Sequence, residues 1–251
     1  MSELSSRETL SIVIPCFNEE DALPQLCARL PAVLDKLASR YADVKVLLVD
    51  DGSTDATPRL LRECFGSDPR FCVLSHEQNR GLGAALRTGF AHSRSDVVVT
   101  TDADGTYEFG EILGLCALLL PDVDVVTASP YHPEGGVDGV PAYRLLLSQG
   151  ASLCYRILLE RNLHTYTAMF RAYRRKVLDQ IQFSSPGYLA MAEILSESLL
   201  AGFRVVEFPT VLHVRKYGQS KAKVARILAD HLRFQAGLLP RAMMRKVAQL
   251  G

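Results

Sequence analysis

Apolar and polar positions follow two rhythms along the chain. Short runs rich in Val, Ile and Leu fall at Leu10–Ile14, Val44–Val49, Phe71–Leu74, Val97–Thr101 and Val123–Ala128. Each is bounded by polar or turn-forming residues, which predicts strands buried on both faces. Between them the spacing lengthens to that of helices. Leu23, Leu26, Cys27, Leu30, Leu34 and Leu37 form one stripe, with Glu19, Glu20 and Asp21 suited to its N-terminus and Pro31 expected to kink it. A second helix is expected near Thr54–Asp55, with Asp55 capping and Pro58 in the first turn, and a third from about Gly83 to Ser95. Strands alternating with helices imply an α/β fold around a mostly parallel sheet covered on both faces.

After Ala128 the pattern changes. Ser129–Gly136 is a Pro/Gly-rich loop, followed by helical patterns over Ala142–Glu160 and Tyr188–Ala201 and a late strand pair at Arg204–Phe208 and Val211–Val214. From Ser220 the tail reads as an amphipathic basic helix with a break near Gly237–Pro240. Residues 1–221 are therefore expected to form a single domain, one half spanning about 10–128 and the other about 129–221. Residues 222–251 form the helical tail.

Composition sharpens this picture. At 251 residues and 48% hydrophobic, the chain can bury a core, and its composition argues against disorder. Net charge is zero, yet Arg144–Lys176 carries seven Lys/Arg against one Glu, and the stretch from Arg215 onward nine against one Asp. This suits either an anionic partner, such as phosphate or a membrane surface, or solvated helix faces. The six cysteines are scattered, which argues for a reducing compartment and against a zinc site or a disulfide scaffold. The polar start, Met1–Thr9, has no apolar signal region, and no apolar run reaches the roughly 20 residues of a spanning helix. A cytoplasmic protein is expected, at most peripheral on a membrane.

Candidate chemistry gathers where strands end. Val97–Thr101 runs into Asp102-Ala103-Asp104-Gly105. Carboxylates at i and i+2 of an extended segment point the same way, and both can face one hard divalent cation beside a diphosphate. The alternative is a polar turn. The second strand closes on Asp50-Asp51-Gly52-Ser53, where one acid could accept from a nucleobase, or where the pair simply caps a helix. The first strand ends in Pro15-Cys16-Phe17-Asn18-Glu19. Asn79-Arg80-Gly81-Leu82-Gly83 opens a helix whose amides could face a phosphate. It mimics a dinucleotide fingerprint, but Leu86 occupies the last glycine position, which disfavours a nicotinamide site. Arg144 and Ser148 share a helix face and suit a phosphate monoester, or are surface residues. Arg215–Lys221 is a basic, Gly-containing link that either folds over a diphosphate or is a charged loop. None of the six histidines has metal-ligand spacing.

In their order, Ile14–Glu19, Val49–Asp55, Asn79–Ala85 and Asp102–Asp104 resemble the family 2 glycosyltransferases of GT-A fold, in particular the dolichol-phosphate mannosyltransferase-like branch. The resemblance spans roughly Ser11–Lys221. It implies an inverting hexosyltransferase that uses GDP-mannose or a UDP-hexose with Mg²⁺ or Mn²⁺, with neither nucleic acid nor zinc as partner. Pro15, Asn18, Glu19, Asp50 or Asp51, and Ser53 would contact the nucleotide, and Asp102 and Asp104 would hold the metal. In that branch the acceptor is a polyprenyl phosphate at a membrane surface, gripped by residues matching Arg144 and Ser148, while Arg215, Gly218, Ser220 and Lys221 match a donor-phosphate loop. The chain departs from the pattern at Pro130, Thr165, Met169 and Thr106, where the family usually has Arg, Asp, Gly and Gln. A soluble sugar, glycolipid or protein acceptor is the alternative, with Glu193 then the candidate base. A non-enzymatic nucleotide-binding protein is a second alternative.

Overall fold

The computed structural model describes residues 7–160, 162–214 and 224–248. A seven-stranded sheet is built from β1 (Leu10–Cys16), β2 (Val44–Asp50), β3 (Phe71–Ser75), β4 (Val97–Thr100), β5 (Val125–Ser129), β7 (Arg171–Arg174) and β8 (Val205–Pro209). A separate two-stranded ladder joins β6 (Gly136–Asp138) to β9 (Val211–His213). The large sheet runs β3-β2-β1-β4-β7-β5-β8 and is parallel except at β7, which lies antiparallel between β4 and β5. The five strands expected from the apolar runs are present, and the mostly parallel sheet is as expected. Two late strands were also expected, but as neighbours. Instead β8 extends the main sheet beside β5 and β9 pairs with β6, because Pro209-Thr210 carries the chain from one sheet to the other.

Both faces are covered, as a parallel sheet requires. Ile12, Ile14, Val97 and Val99 point toward α1 (Leu23–Leu37), α2 (Thr57–Phe65) and α4 (Ile112–Ala117). Val13, Val98 and Tyr173 point toward α3 (Leu82–His92), α5 (Ala142–Leu158) and α7 (Ala190–Leu200). The short helix α6 (Arg175–Gln180) follows β7. Pro31 sits inside α1 without ending it, and Asp55 accepts from the Thr57 amide at the start of α2 (2.9 Å). β7 escapes a hydropathy reading because two of its four residues are arginines, yet Ala172 and Tyr173 are buried and Arg174 donates to the Val123, Leu119 and Leu120 carbonyls.

Two expectations are corrected. The tail is one helix, α8 (Val224–Ala248), with no break at Gly237–Pro240. Pro240 removes one backbone donor, and packing against α5 and α7 carries the helix across it. Cys27 and Cys64, far apart in sequence, form a disulfide between α1 and α2 with their Cα atoms 6.0 Å apart. Spacing along the chain could not reveal it, because the two helices meet only after the first βαβ crossover. The bridge closes a 37-residue separation. Exchanging both cysteines for serine is expected to lower the unfolding free energy by about 3 kcal/mol, read by urea denaturation without reductant. With reductant, the two proteins should unfold alike.

Candidate active site

Register gathers the strand ends. Cys16 is level with Asp50 across β1 and β2, and Val13 is level with Thr100 across β1 and β4. The three carboxyl ends therefore open on one rim, the usual ligand side of an open parallel sheet. A cavity of about 580 Å³ lies there, with Pro15, Phe17, Glu19, Asp51, Asp102 and Asp104 on its sheet side.

Neighbouring loops fasten the rim. Asn18 adopts a left-handed conformation (φ 52°) that asparagine tolerates. Its amide donates to Ser53 Oγ (2.9 Å), and its Oδ1 accepts from the Thr54 amide (2.7 Å). The Glu19 amide donates to Thr57 Oγ1 (2.7 Å), and Glu20 accepts from the Ala56 amide (2.9 Å). Asn18 and Ser53 thus clamp the β1 and β2 loops together. Of the two acids after β2, Asp50 accepts from the Ser53 amide (3.1 Å) and does not line the cavity. Asp51 does line it, while accepting from the Arg80 and Gly81 amides (2.9 and 2.7 Å) and bonding His76 Nδ1 (2.7 Å). His76 Nε2 in turn meets Thr88 Oγ1 (2.8 Å).

That network corrects one expectation. Three of the amides opening α3 are already engaged within the protein: those of Arg80 and Gly81 serve Asp51, and that of Gly83 donates to the Pro186 carbonyl (2.6 Å). Gly83 is required by this approach, since a Cβ there would lie 2.1 Å from the Ser185 carbonyl oxygen.

Beyond β4, Asp104 accepts from the Thr106 amide (3.0 Å) and hydroxyl (2.5 Å) around Gly105 (φ 71°). This tight turn holds Asp102 and Asp104 on the cavity wall. Thr106, standing where the resemblance leads one to expect Gln, fixes the second acid. Among the described residues no group of three His, Cys, Asp or Glu could hold a metal. Two carboxylates do suit Mg²⁺ or Mn²⁺, which take one or two protein acids and fill the remaining positions with phosphate and water oxygens. Tyr107, buried beneath, has its hydroxyl pKa raised by burial and by Asp102, with Arg171 opposing.

The far side of the cavity is rich in hydroxyls and then apolar. Ser148 Oγ meets Thr167 Oγ1 (2.8 Å) and bonds the Tyr131 hydroxyl, whose pKa burial raises. Thr165 Oγ1 meets Ser129 Oγ behind them (2.8 Å). Leu145, Met191, Ile227 and Leu228 add apolar surface to the lining. Tyr131, Thr167 and His231 all line the cavity and were not expected there, because they come from separate segments that only the fold brings together. Glu193 is corrected as a base candidate. It does not line the cavity; its carboxylate accepts from the Ser184 and Ser185 amides (both 2.9 Å). The Arg144 side chain and the whole of Arg215–Lys221 lie outside the described residues.

A mostly parallel sheet with an acid pair at a strand end, opening on a long cleft, is the frame of a nucleotide-diphosphosugar transferase of GT-A type. Comparison with known proteins makes this specific. The model of Glycosyl transferase family 2 matches residues 11–182, and the chain belongs to that family and is a glycosyltransferase. It is 35% identical over 217 residues to polyprenol monophosphomannose synthase of Mycolicibacterium smegmatis, covering 84% of this chain and 79% of that one. It is 32% identical to undecaprenyl-phosphate mannosyltransferase of Micrococcus luteus, covering 83% and 85%. With dolichol-phosphate mannosyltransferase of Pyrococcus furiosus the identity is 30%, covering 89% of this chain but only 62% of the longer relative. Glucosyl-3-phosphoglycerate synthase of Mycobacterium tuberculosis, solved with Mn²⁺, UDP and glucosyl-3-phosphoglycerate, shares the fold at TM-score 0.68 and 21% identity, over 92% of this chain and 80% of that one.

His231 gives this site a pH signature. It is buried, with Nδ1 on the Tyr155 hydroxyl (2.8 Å), and burial lowers its pKa from the ordinary 6.5 against the opposing charge of Asp230. The folded state thus favours neutral imidazole, so the contribution is full above the unfolded pKa and is lost as pH falls below it toward the depressed folded value. Thermal melts between pH 7.5 and 5.5 should show a steeper loss for the wild type than for His231→Asn.

Proposed function

We propose that this glycosyltransferase moves a hexose, with inversion, from a nucleotide-diphosphate sugar (GDP-mannose or a UDP-hexose) to a polyprenyl phosphate at a membrane surface. In this reading Asp102 and Asp104 hold Mg²⁺ or Mn²⁺, which when bound neutralises the leaving diphosphate. Glu19, Pro15 and the Asn18–Ser53 clamp shape the nucleotide end, and Arg215 and Lys221 close over the phosphates. Arg144 and Ser148 take the acceptor phosphate, with Tyr131 and Thr167 beside Ser148.

The observation that carries this reading is the inventory of acids. Among the described residues, the carboxylates lining the cavity are Glu19, Asp51, Asp102 and Asp104, all on its sheet side, and Asp51 is engaged by two amides and His76. Glu193 is likewise engaged, away from the cavity. A sugar hydroxyl needs a base to become a nucleophile, whereas a phosphate monoester is already ionised at neutral pH. Its oxygen attacks the anomeric carbon as the bond to the diphosphate breaks, and no proton need move. The similarity to three polyprenyl-phosphate mannosyltransferases supports the same acceptor class.

Access from a membrane fits the surface. None of the described helices is long and apolar enough to cross a bilayer. However, α5 exposes Leu146, Leu153 and Ile157, and α8 exposes Leu232, Met243 and Met244, next to Arg226 and Arg233. Such faces lie flat on anionic lipid. The same two helices contribute Leu145, Ile227 and Leu228 to the apolar end of the cavity, a route for an isoprenoid chain.

The test is thermal stability against GDP, UDP, CDP and ADP, with and without Mn²⁺, followed by transfer to undecaprenyl phosphate in anionic vesicles. One nucleoside diphosphate at a hundredfold its Kd should raise Tm by about 5 °C or more, only with metal and not in Asp104→Ala. A shift that is independent of metal or survives in the variant overturns the metal assignment, and absence of lipid-linked product overturns the acceptor.

A further inference from the structure

Among the described residues, one of the largest fully buried side chains is a charged one. Arg171, on β7, is 0% exposed, and among the described residues no carboxylate pairs with it. Its Nε donates to Thr127 Oγ1 (2.9 Å), one terminal nitrogen to the Met191 carbonyl (2.5 Å) and the other to the Tyr166 carbonyl (2.7 Å). A guanidinium stays charged whatever its surroundings, and burying it against neutral oxygens alone costs more than an apolar side chain of similar size would. Packing does not require that cost, and such departures concentrate where geometry is functional.

The bonds of Arg171 end on the acceptor side of the cavity. Thr127 lies level with it on β5, and Thr100, two residues before Asp102, is level with it on β4. Tyr166 sits inside the Thr165–Met169 segment, of which Thr165, Thr167, Ala168 and Met169 line the cavity. Met191 lines it too, from the first turn of α7. One planar fork thus joins β5, the wall segment and α7, at angles that a single ammonium could not serve together.

We propose that Arg171 is a positioning residue for the acceptor: by bridging Thr127, Tyr166 and Met191 it sets the Thr165–Met169 wall against the first turn of α7. This rests on the acceptor side assigned above. It predicts that damage at Arg171 is felt by the acceptor and not by the donor.

Arg171→Lys keeps the charge and loses the fork, and Thr127→Val removes one bond at nearly constant volume, leaving the fold in place should the lysine variant fail to fold. For each, the KM for undecaprenyl phosphate, kcat and Mn²⁺-dependent nucleoside diphosphate affinity are measured on the full chain, with hydrogen exchange of the apo protein alongside. The acceptor KM should rise at least tenfold in Arg171→Lys and about threefold in Thr127→Val. Nucleotide affinity should stay within twofold, with exchange protection lost in 163–169 and 188–191 but retained in 46–50 and 97–104. An equal fall in nucleotide affinity, a loss of protection throughout the chain, or no change in either segment overturns the proposal. If the wild type gives no lipid-linked product, the acceptor assignment fails, and the exchange pattern alone still decides whether Arg171 sets this wall.

Discussion

The register of the parallel ladder is the constraint on which the rest depends. With Cys16 level with Asp50 and Val13 with Thr100, three strands leave the sheet at one rim, and the polar residues that follow them must share a small space. Backbone groups there no longer have ladder partners, and side chains from adjacent loops satisfy them. Asn18 donates to Ser53 and accepts from Thr54 across the first gap, Asp51 gathers the Arg80 and Gly81 amides across the second, and Thr106 turns back on Asp104. Residues that resemble ligand contacts in a linear reading are therefore also the fasteners of the rim. A preorganised site needs both functions, because a carboxylate fixed by its neighbours does not reorganise when a ligand arrives.

This double duty separates what could be read from the chain from what could not. The strands β1 to β5 and helices α1 to α3 were legible because their apolar spacing has a clear period. The acid pair at Asp102 and Asp104 was legible because it follows an unmistakable strand. Which of Asp50 and Asp51 faces the cavity was not, since adjacent residues differ only in direction at the point where the strand ends. The amides of Arg80 to Ala84 looked available for phosphate because a helix start leaves donors unpaired. Those of Arg80, Gly81 and Gly83 find partners in Asp51 and Pro186, about thirty and about a hundred residues away, beyond any local pattern.

The second half was less legible for a related reason. β7 is short and half arginine, and its burial is secured by Arg171 and Arg174 reaching backbone carbonyls rather than by an apolar run. The hydroxyls of Tyr131, Ser148 and Thr167 come from a loop, a helix and another loop, and no spacing rule links them. The Cys27–Cys64 bridge and the Tyr155–His231 bond likewise join elements that meet only after folding. α8 lies wholly beyond the stretch matched by the family model, yet it supplies Ile227, Leu228 and His231 to the cavity. Family resemblance therefore speaks to the strand-end rim more than to the part of the cavity that α8 lines.

The two ends of the cavity also differ in how charge is handled. At the rim, acids line the cavity itself, and in the proposed reading a divalent ion would offset their charge beside a diphosphate. On the far side no described acid lines the wall: neutral hydroxyls face the space, and a buried guanidinium stands behind them, bonded only to neutral oxygens. An arrangement that withholds carboxylates and places positive charge out of reach of water favours an anion that arrives already ionised over a hydroxyl that must lose a proton. The same burial that makes Arg171 costly to fold around lets its field act at short range with much less screening by water and salt than a surface charge would have. On that argument the buried guanidinium and the ionised phosphate proposed as acceptor are two halves of one electrostatic arrangement, in which the acceptor would supply the negative charge that the wall lacks.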